Sequence, residues 1–214
     1  MDENYQVDSY QNGTTLFVYY GIRVLVLIMA GVFFWWGDWE SAVSTILIFI
    51  LMLVPSILKE RYRLYLPFAL DLGIVNFVFL SLFLGQIGHI YEYIPMWDKF
   101  LHFQSGFLLG ATGYILIYIL NENENSKLEL SPFFITLFAV AFSLAMGVLW
   151  EIAEFTGDSF FGNQWQASNA DTMWDLIAAG VGSLIVSSMG YFWMHRNKRL
   201  PFTPWLMKIF RKKE

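Results

Sequence analysis

Cysteine is absent from the 214-residue chain, so it has neither disulfides nor thiolate metal ligands, and its redox compartment leaves no trace. Charge is scarce: Asp, Glu, Lys and Arg make up 14% of the residues, against 57% hydrophobic ones. With a mean hydropathy of +0.49, this is too apolar for a soluble domain of this size and fits an integral membrane protein. A positive excess is also missing. The net charge of -5 gives no general pull toward nucleic acid, and no basic, aromatic-laced pattern suggests such a partner. The opening stretch "MDENYQVDSYQNGTT" has no basic n-region, which argues against a cleaved signal peptide.

What the sequence does have is long apolar runs. Six lie near 15–36, 41–58, 66–88, 98–120, 132–156 and 171–194, each about as long as a hydrocarbon core of about 30 Å requires. The breaks are "GDWES", "KERYRLYLP", "YEYIPMW", "NENENSKLELS" and "GDSFFGNQWQASNA". The expected fold is all-α, a polytopic bundle of six transmembrane helices forming one domain over 1–194. Lys59, Arg61, Arg63 and Lys127, with seven basic residues after the last span, all fall on one side of such a bundle. The positive-inside bias makes that side cytoplasmic and places both termini there. Lys99 alone falls opposite, and Arg23 lies within a span. The segment 195–214, ending in "PFTPWLMKIFRKKE", is expected to be a basic cytoplasmic tail, laid as an interfacial helix on anionic membrane lipids.

The last three spans gather ionisable groups at one end. Span four enters with "DKFLHFQSG", span five leaves with "WEIAEFTGD", and span six re-enters with "DTMWDL". Asp98 and His102 are four apart, as are Asp171 and Asp175, while Glu151, Glu154 and Asp158 are spaced three and four. Each set occupies one helix face. At about 1.5 Å rise per residue, Asp98, Glu154, Asp171 and Asp158 form an outer layer over His102, Glu151 and Asp175. Carboxylates at a helix C-terminus oppose the macrodipole, and buried ones are costly without compensation. A bound divalent cation would supply it, because His and carboxylates at these spacings on facing helices are how bundles hold Zn, Mn or Fe. The expected metal set is His102, Glu151, Asp175, Asp171 and Asp158, with Glu154 and Asp98 as catalytic groups. Each residue also has a plainer reading. Asp98 and Asp171 open helices and can cap them, His102 can pair locally, and Asp158 can be a solvated loop acid.

Below this level the faces carry Ser105, Gly106, Gly110, Gly147, Ala178, Ala179 and Gly182. Small residues let helices approach closely, which points to a pocket open outward more than to a through-pore. Arg23 and Asp71 lie about 10 Å inside the cytoplasmic ends of spans one and three. They are expected to form a structural ion pair, with a polar step on a transport path as the rival. Trp97, Trp150, Trp165, Trp174, Tyr91 and Tyr93 read as an interfacial belt, and the loop "NQWQASNADT" as a cover over the site.

"DKFLHF", "WEIAEF" and "DTMWDL", in that order on the last three spans, resemble the YjdF-like family of bacterial inner-membrane proteins. The Asp-Lys-x-x-His and Asp-x-x-x-Asp helix openings more distantly resemble VanZ-like membrane proteins, linked to glycopeptide resistance. The motif resemblance covers about 98–182, and the Trp-Glu-x-x-Glu ending of span five departs from the VanZ-like pattern. The resemblance implies a multi-pass protein of the bacterial cytoplasmic membrane and supplies no reaction. Three functions follow from the residues: a metal-dependent enzyme on an envelope or lipid-linked substrate, with Zn, Mn, Fe or Mg undistinguished; a cation- or proton-coupled transporter; or a non-catalytic envelope protein.

Overall fold

The computed structural model describes residues 13–62, 68–122, 129–162 and 165–197. Apart from the connecting turns and loops these are helical, with no strand among the described residues. Six helices are long and apolar enough to cross a membrane: Gly13–Trp36, Trp39–Arg61, Phe68–Ile87, Trp97–Asn121, Pro132–Phe160 and Asn169–Arg196. All six expected spans are present, and the fifth runs further than its apolar run, carrying Glu151, Glu154 and Asp158 within the helix. The expected cytoplasmic tail lies outside the described residues from 198 onward. The chain divides into two compact units between Trp97 and Asp98.

The first unit begins with helices α1 (Gly13–Trp36) and α2 (Trp39–Tyr62). Gly37 turns the corner with φ at 77°, a left-handed conformation that glycine adopts without steric cost. Its N–H bonds to Phe34 O and the Asp38 N–H to Phe33 O, closing α1 with a Schellman pattern. Asp38 Oδ1 then accepts the Ser41 N–H at 3.1 Å and opens α2. Buried positions on α1 fall at Tyr19, Arg23, Val26 and Ala30, one helical face. Most of the remaining apolar side chains stay exposed, as suits a helix bathed in lipid. The third span starts as α3 (Phe68–Val78) and continues as a π-helical stretch over Phe79–Ile87. That stretch ends with the Gly88 N–H on Phe83 O at 2.8 Å. A short α4 (Ile90–Tyr93) follows, and the Tyr91 ring packs over Gly85, where a Cβ would lie 2.4 Å from Tyr91 Cε2.

Arg23 and Asp71 are both buried in this unit, but the expected ion pair is not direct. Tyr19 stands between the charges. Its hydroxyl donates to Asp71 Oδ2 at 2.9 Å, and the Arg23 guanidinium sits 4.0 Å above its ring centroid. Arg23 Nη2 donates to Met52 O at 2.6 Å and to Ser56 Oγ at 3.2 Å. The reason is local. Tyr19 and Arg23 lie four apart on one face of α1, so the cation takes the ring's electron-rich face and the phenol reaches the acid.

The second unit holds α5 (Trp97–Glu122), α6 (Pro132–Phe161) and α7 (Asn169–Asn197). Ser131 caps α6, accepting the Phe134 N–H on its hydroxyl at 3.2 Å, with Pro132 at a helix start where its missing N–H costs nothing. Along α7 the buried residues Asp175, Ala179, Ser183 and Ser187 recur every fourth position. Such an inner stripe suits a bilayer, where helices gain little from burying apolar groups against each other and approach through small residues. The approach is extreme between α5 and α7. A Cβ on Gly106 would lie 2.0 Å from Ala179 O, and one on Gly182 would lie 2.2 Å from Phe103 O. Ser143 Oγ of α6 donates to Gly106 O at 3.1 Å, so all three helices are pinned one turn below His102.

Alanine at Gly106 or Gly182 therefore has to drive two backbones apart, and each substitution is expected to cost ~3 kcal/mol, the upper end of overpacking penalties. Gly147→Ala meets only ordinary contacts, the nearest at 3.5 Å, and is expected to stay within about 0.5 kcal/mol of the parent. Thermal unfolding in detergent checks both expectations.

Candidate functional site

The α5–α7 crossing fixes the heights of the first turns of α5 and α7 and the last turns of α6. Asp98, Lys99 and His102 rise from the start of α5. Glu151 and Glu154 come from α6, and Asp171 and Asp175 from α7. His102, Glu151 and Asp175 are buried, with 7%, 5% and 2% of their surface exposed. Asp98 is more open, its side chain 37% exposed. Two layers thus exist, the inner one sealed below by Gly106, Ala179 and Gly182.

Around the imidazole, His102 Nε2 lies 3.7 Å from Asp98 Oδ1, 3.8 Å from Glu151 Oε1 and 4.0 Å from Asp175 Oδ1. These separations are too long for hydrogen bonds. Ligand atoms of Asp98, His102 and Asp175 all lie within 4.8 Å of one another. Two ligands on a tetrahedral metal with bonds of about 2.0–2.1 Å are about 3.3 Å apart, so closing the set takes up to about 1.5 Å of approach between its most widely separated atoms. Glu151 Oε1 is buried without a hydrogen-bond partner. Its Oε2 accepts Gln166 Nε2 at 3.3 Å, and the same amide reaches Glu151 O at 3.1 Å.

The residue that sequence reasoning left out is Lys99. Its ammonium bonds Asp171 Oδ1, lies 2.8 Å from Asp175 Oδ1 and donates to Asp98 Oδ2 at 3.2 Å. It supplies part of the compensation that the sequence reading sought wholly from a bound cation. Four carboxylates (Asp98, Glu151, Asp171, Asp175) against one ammonium still leave three formal negative charges when all are ionised and His102 is neutral. The signal was in the sequence, because Lys99 is the lone Lys or Arg on its side of the predicted bundle.

Other expected members have separate tasks. Both oxygens of Asp158 accept backbone N–H groups, from Trp165 at 2.8 Å and Gln166 at 2.9 Å. Asp158 thereby holds the loop residue that covers Glu151, in line with the expected cover over the site. Asp171 divides its carboxylate. Oδ2 accepts the Ala167 N–H at 3.4 Å, its own N–H bonds to Ser168 Oγ at 3.2 Å, and Oδ1 faces Lys99. The cap of α7 is therefore Ser168, not the expected Asp171, whose carboxylate instead joins the preceding loop to Lys99. Glu154 Oε1 accepts the Trp150 indole N–H at 2.8 Å at the edge of the cluster. Trp150, Trp165 and Trp174 are exposed, as an interfacial belt requires.

Six apolar helices with a buried acid and imidazole cluster at one end define a multi-pass membrane protein. The chain belongs to the DUF2238 family of predicted membrane proteins, whose model matches residues 17–196 and so spans every cluster residue. It is 32% identical over 151 residues to an uncharacterized protein of Thermotoga maritima, an overlap covering 67% of this chain and 76% of that protein. No solved structure matches it.

Removing Lys99 leaves Asp175 buried beside other acids, so Lys99→Met is expected to lower stability by about 3–5 kcal/mol in metal-free buffer, the usual cost of stranding a buried charge. Asp175→Asn in the same chain removes the stranded charge. A double-mutant cycle by thermal unfolding is expected to return a coupling of about 1–3 kcal/mol. Additive effects would mean that the pair carries no energy.

Proposed function

We propose that this is a protein of the bacterial cytoplasmic membrane, with both termini cytoplasmic and the acid–imidazole cluster open to the outer side. In this reading it is a metal-dependent enzyme acting on an envelope or lipid-linked substrate. The basic residues between spans two and three, between spans four and five and after span six support the orientation, and the YjdF-like and more distant VanZ-like resemblances of the last three spans support an envelope role. One observation carries the metal reading. Glu151 Oε1, buried and unpartnered, faces an imidazole nitrogen that is itself ringed by carboxylate oxygens at non-bonding distance.

His102, Asp175 and Asp98 would hold the ion, with Glu151 closing the set from α6. Asp98, expected from sequence as a catalytic group, thus joins the ligands. A divalent ion there supplies Lewis acidity and lowers the pKa of a bound water. Glu154, whose carboxylate accepts the Trp150 indole N–H, would take up the proton. Gln166 over Glu151 restricts water from the loop side.

Elemental analysis of purified protein tests this. Wild type is expected to retain about one divalent ion per chain, and the Glu151→Gln, Asp175→Asn double variant almost none. Equal metal content in the two would overturn the reading. A cation- or proton-coupled transporter is the second reading, favoured by Asp71, which is buried in the first unit with Oδ1 unpartnered. Ion uptake into sealed vesicles that falls with Asp71→Asn as well as with Glu151→Gln would select it. Activity lost only with changes at the cluster, without flux, selects the enzyme.

A further inference from the structure

The cluster already contains a cation, and that cation touches the atoms a metal ion would need. Asp175 Oδ1 lies 2.8 Å from Lys99 Nζ and 4.0 Å from His102 Nε2. One oxygen therefore faces both the tethered ammonium and the imidazole. Asp98 is likewise shared, with Oδ2 toward Lys99 and Oδ1 toward His102. Independently of the carboxylates' clustering, Glu151 Oε1 is aimed at the imidazole with no partner while its residue is only 5% exposed.

We propose that Lys99 is the selectivity element of this site: a built-in competitor that keeps monovalent ions out and yields Asp175 only to a divalent transition-metal ion. The proposal rests on the metal-site reading above.

Charge and ligand chemistry give the reasons. A sodium or potassium ion replacing the ammonium exchanges one positive charge for another and gains nothing from the field of the acids. It must also displace a competitor whose tether gives it an effective concentration of about millimolar or above. A divalent ion adds a second charge where, with the four acids ionised, three negative charges are uncompensated, and it accepts the His102 lone pair. Imidazole favours Zn, Fe, Cu and Ni, whereas Mg and Ca prefer all-oxygen sites. The displaced ammonium is not stranded, because Asp98 Oδ2 and Asp171 Oδ1 lie in the more open outer layer and stay within its reach. Exchange therefore costs Lys99 one of three partners.

Calorimetric titration of chelator-stripped full-length protein in detergent with zinc chloride, at low and high sodium chloride, tests the idea. Wild type is expected to bind zinc with an affinity nearly independent of sodium. Lys99→Met is expected to bind about tenfold tighter or better at low sodium, given the competitor's effective concentration, and to lose that gain at high sodium. Zinc bound by neither protein would overturn the metal-site reading and this proposal with it. Zinc bound equally well by both, or more weakly by Lys99→Met, would leave the metal site standing and overturn the role of Lys99. Should Lys99→Met fail to fold, acylation of wild-type lysines followed by mass spectrometry decides. Zinc is expected to raise labelling of Lys99 several-fold with Lys59 unchanged, and unchanged labelling of Lys99 would overturn the proposal.

Discussion

Charge held inside a membrane bundle must find an opposite charge, a proton or an ion within a few ångströms, because lipid offers no water to do the work. At one end of α5, α6 and α7 that demand is met only in part. Four carboxylates surround one imidazole and one ammonium, and the ammonium lies on the open side. Lys99 reaches Asp98, Asp171 and Asp175, while Glu151 is reached by an amide on one oxygen and by nothing on the other. This uneven compensation is what makes the end of the bundle a candidate site instead of a structural ion network.

Packing lower in the unit makes the arrangement rigid. Gly106 against Ala179 and Gly182 against Phe103 bring two backbones into contact, with Ser143 tying α6 to the same level. With that crossing fixed, the first turns of α5 and α7 have little freedom in height, so His102 and Asp175 are held opposite one another. The loop after α6 is held from the same helix through Asp158. A different solution operates in the first unit, where Tyr19 serves a buried arginine with its ring and a buried aspartate with its hydroxyl. Direct pairing is unnecessary when an aromatic ring with a polar edge separates the charges.

The six spans were legible because membrane thickness imposes a length and a composition that the chain cannot disguise. The convergence of His102, Glu151 and Asp175 was legible for a related reason: spacings of three and four put each set on one face, and the predicted topology put all three faces at one end. The π-helical stretch at Phe79–Ile87 was not legible, since its residues read as an ordinary apolar span. Lys99 was counted as a topological marker, although its neighbour Asp98 was already in the site, because adjacency in sequence says little about where a long, flexible side chain ends. Asp158 and Gln166 depend on how a loop folds back over α6, and no local pattern announces that. Tyr19 could have been found, being four residues before Arg23 on the same face, had aromatic mediation been weighed beside direct pairing.

The central claim is that His102 and its surrounding carboxylates bind one divalent ion. Pulsed electron paramagnetic resonance of the manganese-loaded protein addresses it directly, because an imidazole nitrogen on the ion modulates the echo. The account predicts nitrogen modulation in wild type that disappears in His102→Gln. Identical spectra without nitrogen coupling in both proteins would contradict it.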